Sequence, residues 1–425
     1  MNILWFTNTP SLYNSDKPTY FGGGWIESLE SLLSKEKSID LGISFFHKDS
    51  IFKIKKNNTT YYPLCKRESF FSRVKNKASN YSGSLESDNE FIPKLLEVID
   101  DFKPDVINVF GTEGIFSGIQ NYTDIPVVIH LQGLINPYLN TYFPPNTSKW
   151  SFLLNFKYLR HNLHGISPFF GYKRMRNQAL REGKNMKNAK FIMGRTQWDK
   201  SFSKLYAPNA EYFHVNEVLR DSFYSDVVVT QTKKVNEVEI ISTISPIIYK
   251  GVDVILKSAQ LLKKHTNVNF SWKLIGIPHD SKILKFYEKE LNINHKKLGI
   301  KCIGFKNEQE LKNIISTSDL FIHPSYIDNS PNSICEAQIL GLPVIACNVG
   351  GISSIIVDKE TGLLVPSNGI IEIVSGITKF VANPEYFKEI SEKGKISALV
   401  RHDKSKIIKE ITRTYAEILN YSTKL

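Results

Sequence analysis

Short, nearly continuous apolar runs alternate with longer amphipathic stretches along most of the chain. In the first half, the apolar runs predict strands at 2–6, 40–46, 105–110, 126–131, 190–194 and 210–215. Apolar residues spaced like one face of a helix predict helices at 25–34 and 91–102. Strands that are apolar on both faces are typical of parallel sheets covered by helices, so an α/β domain is predicted.

The second half repeats this alternation after a polar stretch at 225–237. Strands are predicted at 238–244, 270–275, 301–305, 319–325 and 342–347, and helices at 252–265, 281–291, 308–317 and over most of 370–420. Residues 48–90, rich in basic residues, serine and asparagine, are predicted to form loops or a mobile hairpin. We therefore expect two domains, at 1–224 and 237–400.

The composition of the 425 residues is that of an ordinary globular protein, with 41% hydrophobic and 23% charged residues. No apolar run is as long as a membrane-spanning helix, and the first residues have the pattern of a strand rather than a signal peptide. The four cysteines are scattered without a paired spacing, which argues against a zinc site and favours a reducing compartment. These features predict a cytoplasmic protein.

Much of the positive charge, +12 over the whole chain, is concentrated in one part of the first half. Residues 149–190 contain ten lysines and arginines, seven aromatic residues and one acidic residue, Glu182. Cationic side chains interleaved with aromatic rings suit an anionic lipid surface. A solvated basic face whose aromatic residues lie in the core accounts for the same composition equally well.

The most informative stretch is 319–366, where a predicted strand, a short helix and another strand follow one another. Ser330 suits the N-cap of the helix, and Gly341 suits a left-handed residue at its end. A helix N-terminus offers backbone N–H groups and a positive dipole end, which favour a phosphate. Asp328 and Glu336 add carboxylates that can accept hydroxyl hydrogen bonds, so a nucleoside diphosphate sugar is a suitable ligand.

This stretch resembles the signature of the retaining glycosyltransferases of family 4, the "group 1" class with the GT-B fold. In that signature, two glutamates separated by seven residues precede a strand that starts with G-x-P-V. Here Asp328 stands at the first position and Glu336 at the second, and residues 341–344 supply Gly-Leu-Pro-Val. The resemblance covers the C-terminal half well and the N-terminal half at a few points.

The resemblance implies an α/β, GT-B-like fold with two Rossmann-like domains whose parallel sheets face a central cleft. It also implies that a last helix, at about 404–421, packs back onto the first domain. The nucleotide sugar would bind mainly to the second domain and the acceptor to the first.

The resemblance further implies a set of site residues. Lys250 would contact the donor diphosphate, and Asp328 and His130 the donor sugar, which makes these three the catalytic candidates. The family's second cation, an arginine shortly before the lysine, is absent, so Arg195 or Arg220 would replace it or make ordinary salt bridges. The donor-binding candidates are Gly23, Gly24, Arg195, Asn332, Ser333, Ile334 and Glu336.

We therefore predict a retaining hexosyltransferase-type enzyme that moves a sugar from a nucleotide-diphosphate sugar to a hydroxyl of a glycan or lipid-linked acceptor in bacterial surface polysaccharide synthesis. The sequence contains no D-x-D motif, and we expect neither a metal nor a cofactor. Expected partners are the nucleotide sugar, the acceptor and an anionic inner membrane surface, but not nucleic acid. Two alternatives stay open: a non-hydrolysing sugar-nucleotide epimerase of the same fold, and a non-catalytic basic binding protein.

Overall fold

The computed structural model describes residues 1–14, 24–48, 53–65, 78–225 and 237–422. These residues form two compact units. Unit 1 contains 1–140, 149–218 and the residues from Asp403 onward, and unit 2 contains 141–148 and 219–402.

The predicted first domain differs from unit 1 at two segments. The Tyr142 ring packs against Tyr249, with 5.9 Å between the ring centroids, and 141–148 accordingly belongs to unit 2. Leu219 and Phe223 are buried in the core of unit 2, and the residues from Leu219 to Ser225 accordingly belong to that unit. A break in the apolar pattern shows where an element ends, but not which core its flanking residues enter.

Unit 1 is built on one mainly parallel sheet. Its strands in the described part of the chain are β1 (Asn2–Thr7), β2 (Asp40–His47), β3 (Ile54–Lys56), β4 (Thr59–Cys65), β5 (Val106–Phe110), β6 (Val127–His130), β7 (Phe191–Gly194) and β8 (Glu211–His214). The order is β3-β4-β2-β1-β5-β6-β7-β8. Only the pair of β3 and β4 is antiparallel among these described strands.

The three helices predicted for unit 1, at 25–34, 91–102 and about 404–421, lie close to helices of the structure, and five further helices in the described residues were not predicted. Within the described residues the helices of unit 1 are Gly24–Leu33, Asp88–Phe102, Ile135–Asn140, Lys149–Leu154, Leu159–Asn162, Pro168–Met186, Gln197–Tyr206 and Lys404–Ser422. The second of them starts three residues earlier than predicted. Its first turn contains Asp88 and Glu90, whose charges stabilise the positive end of the helix dipole.

The region 48–90 contains more regular structure than predicted. The strands β3 and β4 form a hairpin, and β4 also pairs in parallel with β2, from Leu41 opposite Thr59 to His47 opposite Cys65. β4 begins with two threonines and two tyrosines, which form strands well although they give a weak apolar signal in the sequence. The parts of this region at 49–52 and 66–77 lie outside the described residues.

The helix Lys404–Ser422 belongs to unit 1 although it is the last helix of the chain. One of its faces is buried in the core of the unit through Ile407, Ile411, Tyr415 and Ile418. The Tyr415 hydroxyl accepts a hydrogen bond from the indole N–H of Trp5 at 3.1 Å and one from the side-chain amide of Asn108 at 2.8 Å. The helix is thereby connected to the central strands β1 and β5.

Unit 2 is built on a fully parallel sheet. Its strands in the described residues are β9 (Val238–Thr243), β10 (Phe270–Ile275), β11 (Ile300–Gly304), β12 (Leu320–His323), β13 (Val344–Cys347) and β14 (Leu363–Val365). The order is β11-β10-β9-β12-β13-β14, with every neighbouring pair parallel. The predicted α/β architecture with parallel sheets is confirmed for this unit, and β14 is an additional strand.

One α-helix follows each of the strands β9 to β12, and two follow β14. These helices are Val252–His265, Lys282–Glu290, Glu308–Ser316, Asn332–Ile339, Ile370–Ala382 and Pro384–Arg401. The short fourth helix begins one residue later than predicted, because Pro331 and not Ser330 is its N-cap. Gly341 has a φ angle of 76°, which confirms the predicted left-handed residue after this helix. In the described parts of both units, no helix has the length and apolar character needed to cross a bilayer.

Tyr415→Phe is expected to lower the free energy of unfolding by about 2–4 kcal/mol, because the buried donors of Trp5 and Asn108 lose their acceptor. Urea denaturation followed by tryptophan fluorescence measures this loss. Tyr421→Phe is the matched control, because the Tyr421 ring lies on the same helix and is about half exposed. Equal stability of the two variants would contradict the role assigned to the Tyr415 hydroxyl.

Candidate functional site

In unit 2, the loop after β9 approaches the loop after β12 very closely. Gly251 has a φ angle of 80°, and a Cβ atom at this position would lie 2.2 Å from the carbonyl oxygen of Pro324. A side chain cannot be placed there without moving the backbone, so the position requires glycine. This contact sets Lys250, the residue before it, against the loop that follows β12.

Asp328 accepts hydrogen bonds from several groups at this point. Its Oδ2 atom lies 2.6 Å from the Lys250 ammonium and 3.1 Å from Nε2 of His323, and its Oδ1 atom accepts the Asn329 backbone N–H at 3.2 Å. Burial acts to raise the pKa of Asp328, but the charge of Lys250 and the His323 hydrogen bond hold that pKa below its ordinary value. The carboxylate is therefore ionised at neutral pH.

The helix Asn332–Ile339 begins four residues after Asp328. No side chain caps this helix. As in every α-helix, its first backbone N–H groups have no acceptor within the helix itself. Asn332 and Ser333 are partly exposed at this end, whereas the Ile334 side chain is buried in the core of unit 2. The first two residues can therefore contact an anion, but the Ile334 side chain cannot.

Glu336 lies on the same short helix and is almost fully buried. Its Oε1 atom accepts two hydrogen bonds from Arg220, from Nε at 3.0 Å and from Nη2 at 2.6 Å. Burial raises the pKa of Glu336, and the Arg220 charge opposes this increase. The structure thus assigns Glu336 a protein partner that the sequence did not indicate.

His130 is the last residue of β6 and is buried in unit 1. Its ring stacks on Phe110 at 5.2 Å and meets the Trp25 ring nearly edge-on at 5.4 Å. Neither ring nitrogen has a hydrogen-bond partner in the part of the chain that the structure describes. Burial and the nearby charge of Arg195 lower the pKa of His130 to about 3, so the ring is neutral at pH 7.

Arg195 is also buried in unit 1, directly after β7. Its Nε atom lies 3.2 Å from a carboxylate oxygen of Glu217, and its guanidinium lies 5.3 Å from the centre of the Trp25 ring. Both arginines that were considered as the second cation, Arg195 and Arg220, are therefore paired with a glutamate of their own unit.

The predicted glycine loop is only partly described. Gly23 lies outside the described residues, and Gly24 is the first residue of the helix Gly24–Leu33. The next residue, Trp25, is buried against His130 and Arg195. A tryptophan after glycines predicts only a buried helix position, so its contacts were not foreseeable from the sequence.

The structure brings the predicted residues together in separate groups. Lys250 and Asp328 meet in unit 2, where His323, which was not among the predicted site residues, joins them. His130 and Arg195 meet in unit 1 around an aromatic cluster. His323, like the predicted His130, is the last residue of a parallel strand, and this position is the signal that could have identified it as a site residue.

Residues 230–397 match the model of the family "Glycosyl transferases group 1". The resemblance seen in the sequence is thereby confirmed for the part of the chain that contains Lys250, Asp328 and Glu336. A protein of Haemophilus influenzae named as an uncharacterized glycosyltransferase is 31% identical over 150 residues, which are 35% of this chain and 40% of the relative.

A second relative is the Escherichia coli enzyme UDP-Gal:alpha-D-GlcNAc-diphosphoundecaprenol alpha-1,3-galactosyltransferase. It is 29% identical over 93 residues, which are 22% of this chain and 23% of the relative. The chain therefore spans less than half of the length of the relatives that it matches.

Two solved structures resemble nearly the whole chain. Sucrose-phosphate synthase from Thermosynechococcus elongatus has a TM-score of 0.75 at 13% identity, over 99% of both chains. HepE from Anabaena, in complex with UDP and glucose, has a TM-score of 0.65 at 14% identity, over 97% of this chain and 99% of its own. These likenesses show that the chain has the predicted GT-B-like α/β fold.

The buried, neutral His130 predicts a pH dependence of stability. Below about pH 6.5 the unfolded chain protonates this residue, whereas the folded chain does so only near pH 3. Stability is thus lost as the pH falls, by about 1.4 kcal/mol per pH unit in this window. Between pH 7.5 and pH 5, the wild type should lose about 2 kcal/mol more unfolding free energy than His130→Gln, measured by urea denaturation. If the unfolding free energies of the wild type and His130→Gln fall by the same amount over this pH range, His130 is not the cause of the loss.

Arg220→Met is expected to lower the unfolding free energy by about 3 kcal/mol, because it leaves the Glu336 carboxylate buried without its cation. The control Arg413→Met removes an exposed pair with Glu417 and should cost less than about 1 kcal/mol. The double variant Arg220→Met/Glu336→Gln should recover part of the loss. If the double variant is no more stable than Arg220→Met, the loss is not caused by the unpaired charge.

Proposed function

We propose that this protein is a retaining, metal-independent glycosyltransferase. It transfers a sugar from a nucleoside diphosphate sugar to a hydroxyl of a glycan or lipid-linked acceptor, in the synthesis of a bacterial surface polysaccharide. The observation that carries the proposal is the cluster of Lys250, Asp328 and His323 before an uncapped helix N-terminus, within the segment that matches the group 1 family.

The names of similar proteins support these substrates. The Escherichia coli relative is named for UDP-Gal as donor and for an acceptor linked to diphosphoundecaprenol. The HepE structure contains UDP and glucose. A nucleotide sugar and a lipid-linked acceptor hydroxyl are therefore the substrates that we propose for this chain.

Unit 2 supplies groups that suit each part of the donor. The N-terminus of the helix Asn332–Ile339 and the Lys250 ammonium would bind the diphosphate, since both present positive charge to an anion. Asp328, held ionised by its neighbours, would accept hydrogen bonds from sugar hydroxyls. Glu336 would accept hydrogen bonds from the ribose hydroxyls while Arg220 balances its charge.

The candidate residues of unit 1 are proposed from their immediate surroundings within that unit. The neutral His130 ring has one donor and one acceptor nitrogen, which suit a sugar hydroxyl. Arg195 contacts the Trp25 ring, and Gly24 directly precedes Trp25, so both lie beside the same aromatic cluster. Gly23 lies outside the described residues and stays a prediction.

The proposed reaction retains the configuration of the anomeric carbon. The bond from this carbon to the leaving phosphate oxygen breaks while the acceptor oxygen attacks from the same face. The leaving oxygen takes the proton of the acceptor hydroxyl. Lys250 and the helix N–H groups stabilise the charge that develops on the diphosphate, which is the role that a metal has in other transferases.

We place this reaction in the cytoplasm, at the inner face of an anionic membrane, where a lipid-linked acceptor would be presented. The ten cations and single acidic residue of 149–190 support this location, because anionic lipid attracts such a segment by roughly 1 kcal/mol per cation near the surface.

A donor screen tests the proposed function. UDP, GDP and ADP are compared by thermal shift, because a ligand at 100-fold its dissociation constant stabilises the protein by about 2.7 kcal/mol. The matching nucleotide sugar is then incubated with an acceptor, in the presence and absence of EDTA. Release of nucleoside diphosphate that needs the acceptor, and a product with the donor's anomeric configuration by NMR, support the proposal.

Other outcomes of the screen would overturn it. Epimerised donor without acceptor identifies a sugar-nucleotide epimerase. The absence of nucleotide binding identifies a non-catalytic protein, and loss of activity in EDTA shows that a metal takes part.

Lys250→Met is expected to lower turnover by about 100-fold or more, because a charge next to the developing diphosphate is removed. The matched control is Lys273→Met, since Lys273 is a similarly buried lysine of unit 2 that pairs with Glu239 near the amino end of β9. Turnover is measured as the release of nucleoside diphosphate. Equal turnover of the two variants would assign the diphosphate to another cation.

A further inference from the structure

Six large apolar side chains are exposed within the short stretch 150–166 of unit 1. They are Trp150, Leu154, Phe156, Leu159, Leu163 and Ile166, and we call this stretch the apolar segment. Leu154 and Phe156 each expose 85% of their surface. Single exposed apolar residues are common in proteins, but a cluster of this kind marks a surface that contacts another molecule.

The other side chains of the apolar segment hold it in a folded conformation. Phe152 and Tyr158 are buried and pack edge to face, with 5.2 Å between their ring centroids. The Asn162 side chain donates hydrogen bonds to the backbone carbonyls of Phe152 and Leu153, at 3.0 and 3.1 Å. The exposed residues are therefore displayed by a folded and internally bonded segment.

Cations accompany the apolar segment in the sequence and in space. The stretch 149–176 contains six lysines and arginines and no acidic residue, whereas the next cation, Arg181, lies 3.7 Å from the carboxylates of Glu86 and Asp88. Lys149 lies 5.4 Å from the centre of the Trp150 ring. Lys173 lies 5.2 Å from the centre of the Phe169 ring, which in turn contacts the Trp150 ring.

The nearest acidic residue in the following sequence does not neutralise these cations. Glu182 is fully buried, and its carboxylate accepts the backbone N–H groups of Ile135 at 2.9 Å and Asn136 at 2.8 Å. It thereby stabilises the start of the helix Ile135–Asn140. The surface around the apolar segment is consequently positive as well as apolar.

We propose that the apolar segment inserts into the boundary between headgroups and acyl chains of an anionic bilayer, with the surrounding cations at the level of the headgroups. This inference rests on the proposed membrane location and adds the residues that insert. The lipid surface suits the patch better than a second copy of the chain, because a symmetric contact would place the same cations against one another. Insertion buries the apolar side chains, and anionic lipid supplies the opposite charge.

Co-sedimentation of the full chain with vesicles tests the insertion. The double variant Leu154→Ser/Phe156→Ser should bind vesicles of phosphatidylglycerol and phosphatidylcholine more than about tenfold more weakly than the wild type. The control Ile371→Ser/Ile396→Ser removes two similarly exposed apolar residues from unit 2 and should bind like the wild type. Vesicles of phosphatidylcholine alone should bind the wild type weakly. Equal binding to both vesicle types would overturn the role of the cations.

Trp150 can report on insertion, because it is exposed, whereas Trp5, Trp25 and Trp272 are buried and Trp198 is partly buried. The Trp150 emission should shift to shorter wavelength on anionic vesicles, and brominated lipid should quench it. Trp150→Phe should abolish both changes. A persistent shift in that variant would mean that another tryptophan responds, and the insertion of this segment would be refuted.

The remaining outcomes separate this inference from the proposed function. Nucleotide binding and transfer to a soluble acceptor should be unchanged in Leu154→Ser/Phe156→Ser, so a loss confined to vesicle binding supports insertion. If the variant sediments as a monomer where the wild type is a dimer, and vesicle binding is unchanged, the patch is a contact between copies. If the wild type transfers no sugar but the variant still loses vesicle binding, the proposed function fails and the insertion stands.

Discussion

The charge of Asp328 has to be compensated, because its carboxylate is buried in unit 2. Lys250 compensates it, and the His323 ring lies within hydrogen-bond distance of the same carboxylate oxygen. Lys250 lies in the loop after β9, and His323 is the last residue of the adjacent strand β12. Their approach depends on Gly251, where a side chain would collide with the next loop. The need to compensate the Asp328 charge thus holds the loop after β9 against the loop after β12, directly before the short helix Asn332–Ile339.

Charge compensation also explains the positions of the two arginines. Arg220 pairs with Glu336 in unit 2, and Arg195 pairs with Glu217 in unit 1. In each pair the glutamate is almost fully buried, so the cation is needed for stability whatever else it binds. The residues proposed to bind the donor, Arg195 and Glu336, therefore also stabilise the fold, so substitutions at the proposed site are expected to change stability as well.

The core of unit 1 is completed by the end of the chain. Tyr415 accepts hydrogen bonds from Trp5 and Asn108, which lie on central strands of the sheet. These contacts join residues about 300 to 400 positions apart, and such long-range contacts slow folding. Unit 1 therefore cannot complete its core until the last helix has been synthesised.

The sequence by itself determined the alternation of strands and helices and the left-handed Gly341, because apolar period and turn chemistry are local properties. It also singled out Lys250, Asp328 and His130 as site candidates, and their roles stay predictions. It predicted loops or a hairpin at 48–90 but not the pairing of β4 with β2, because the threonines and tyrosines of β4 give a weak apolar signal. Only the tertiary structure decided which charges pair, which strand ends adjoin, and that six apolar side chains of one segment are left outside the core. These facts depend on contacts between residues far apart in the chain, on which local spacing carries no information.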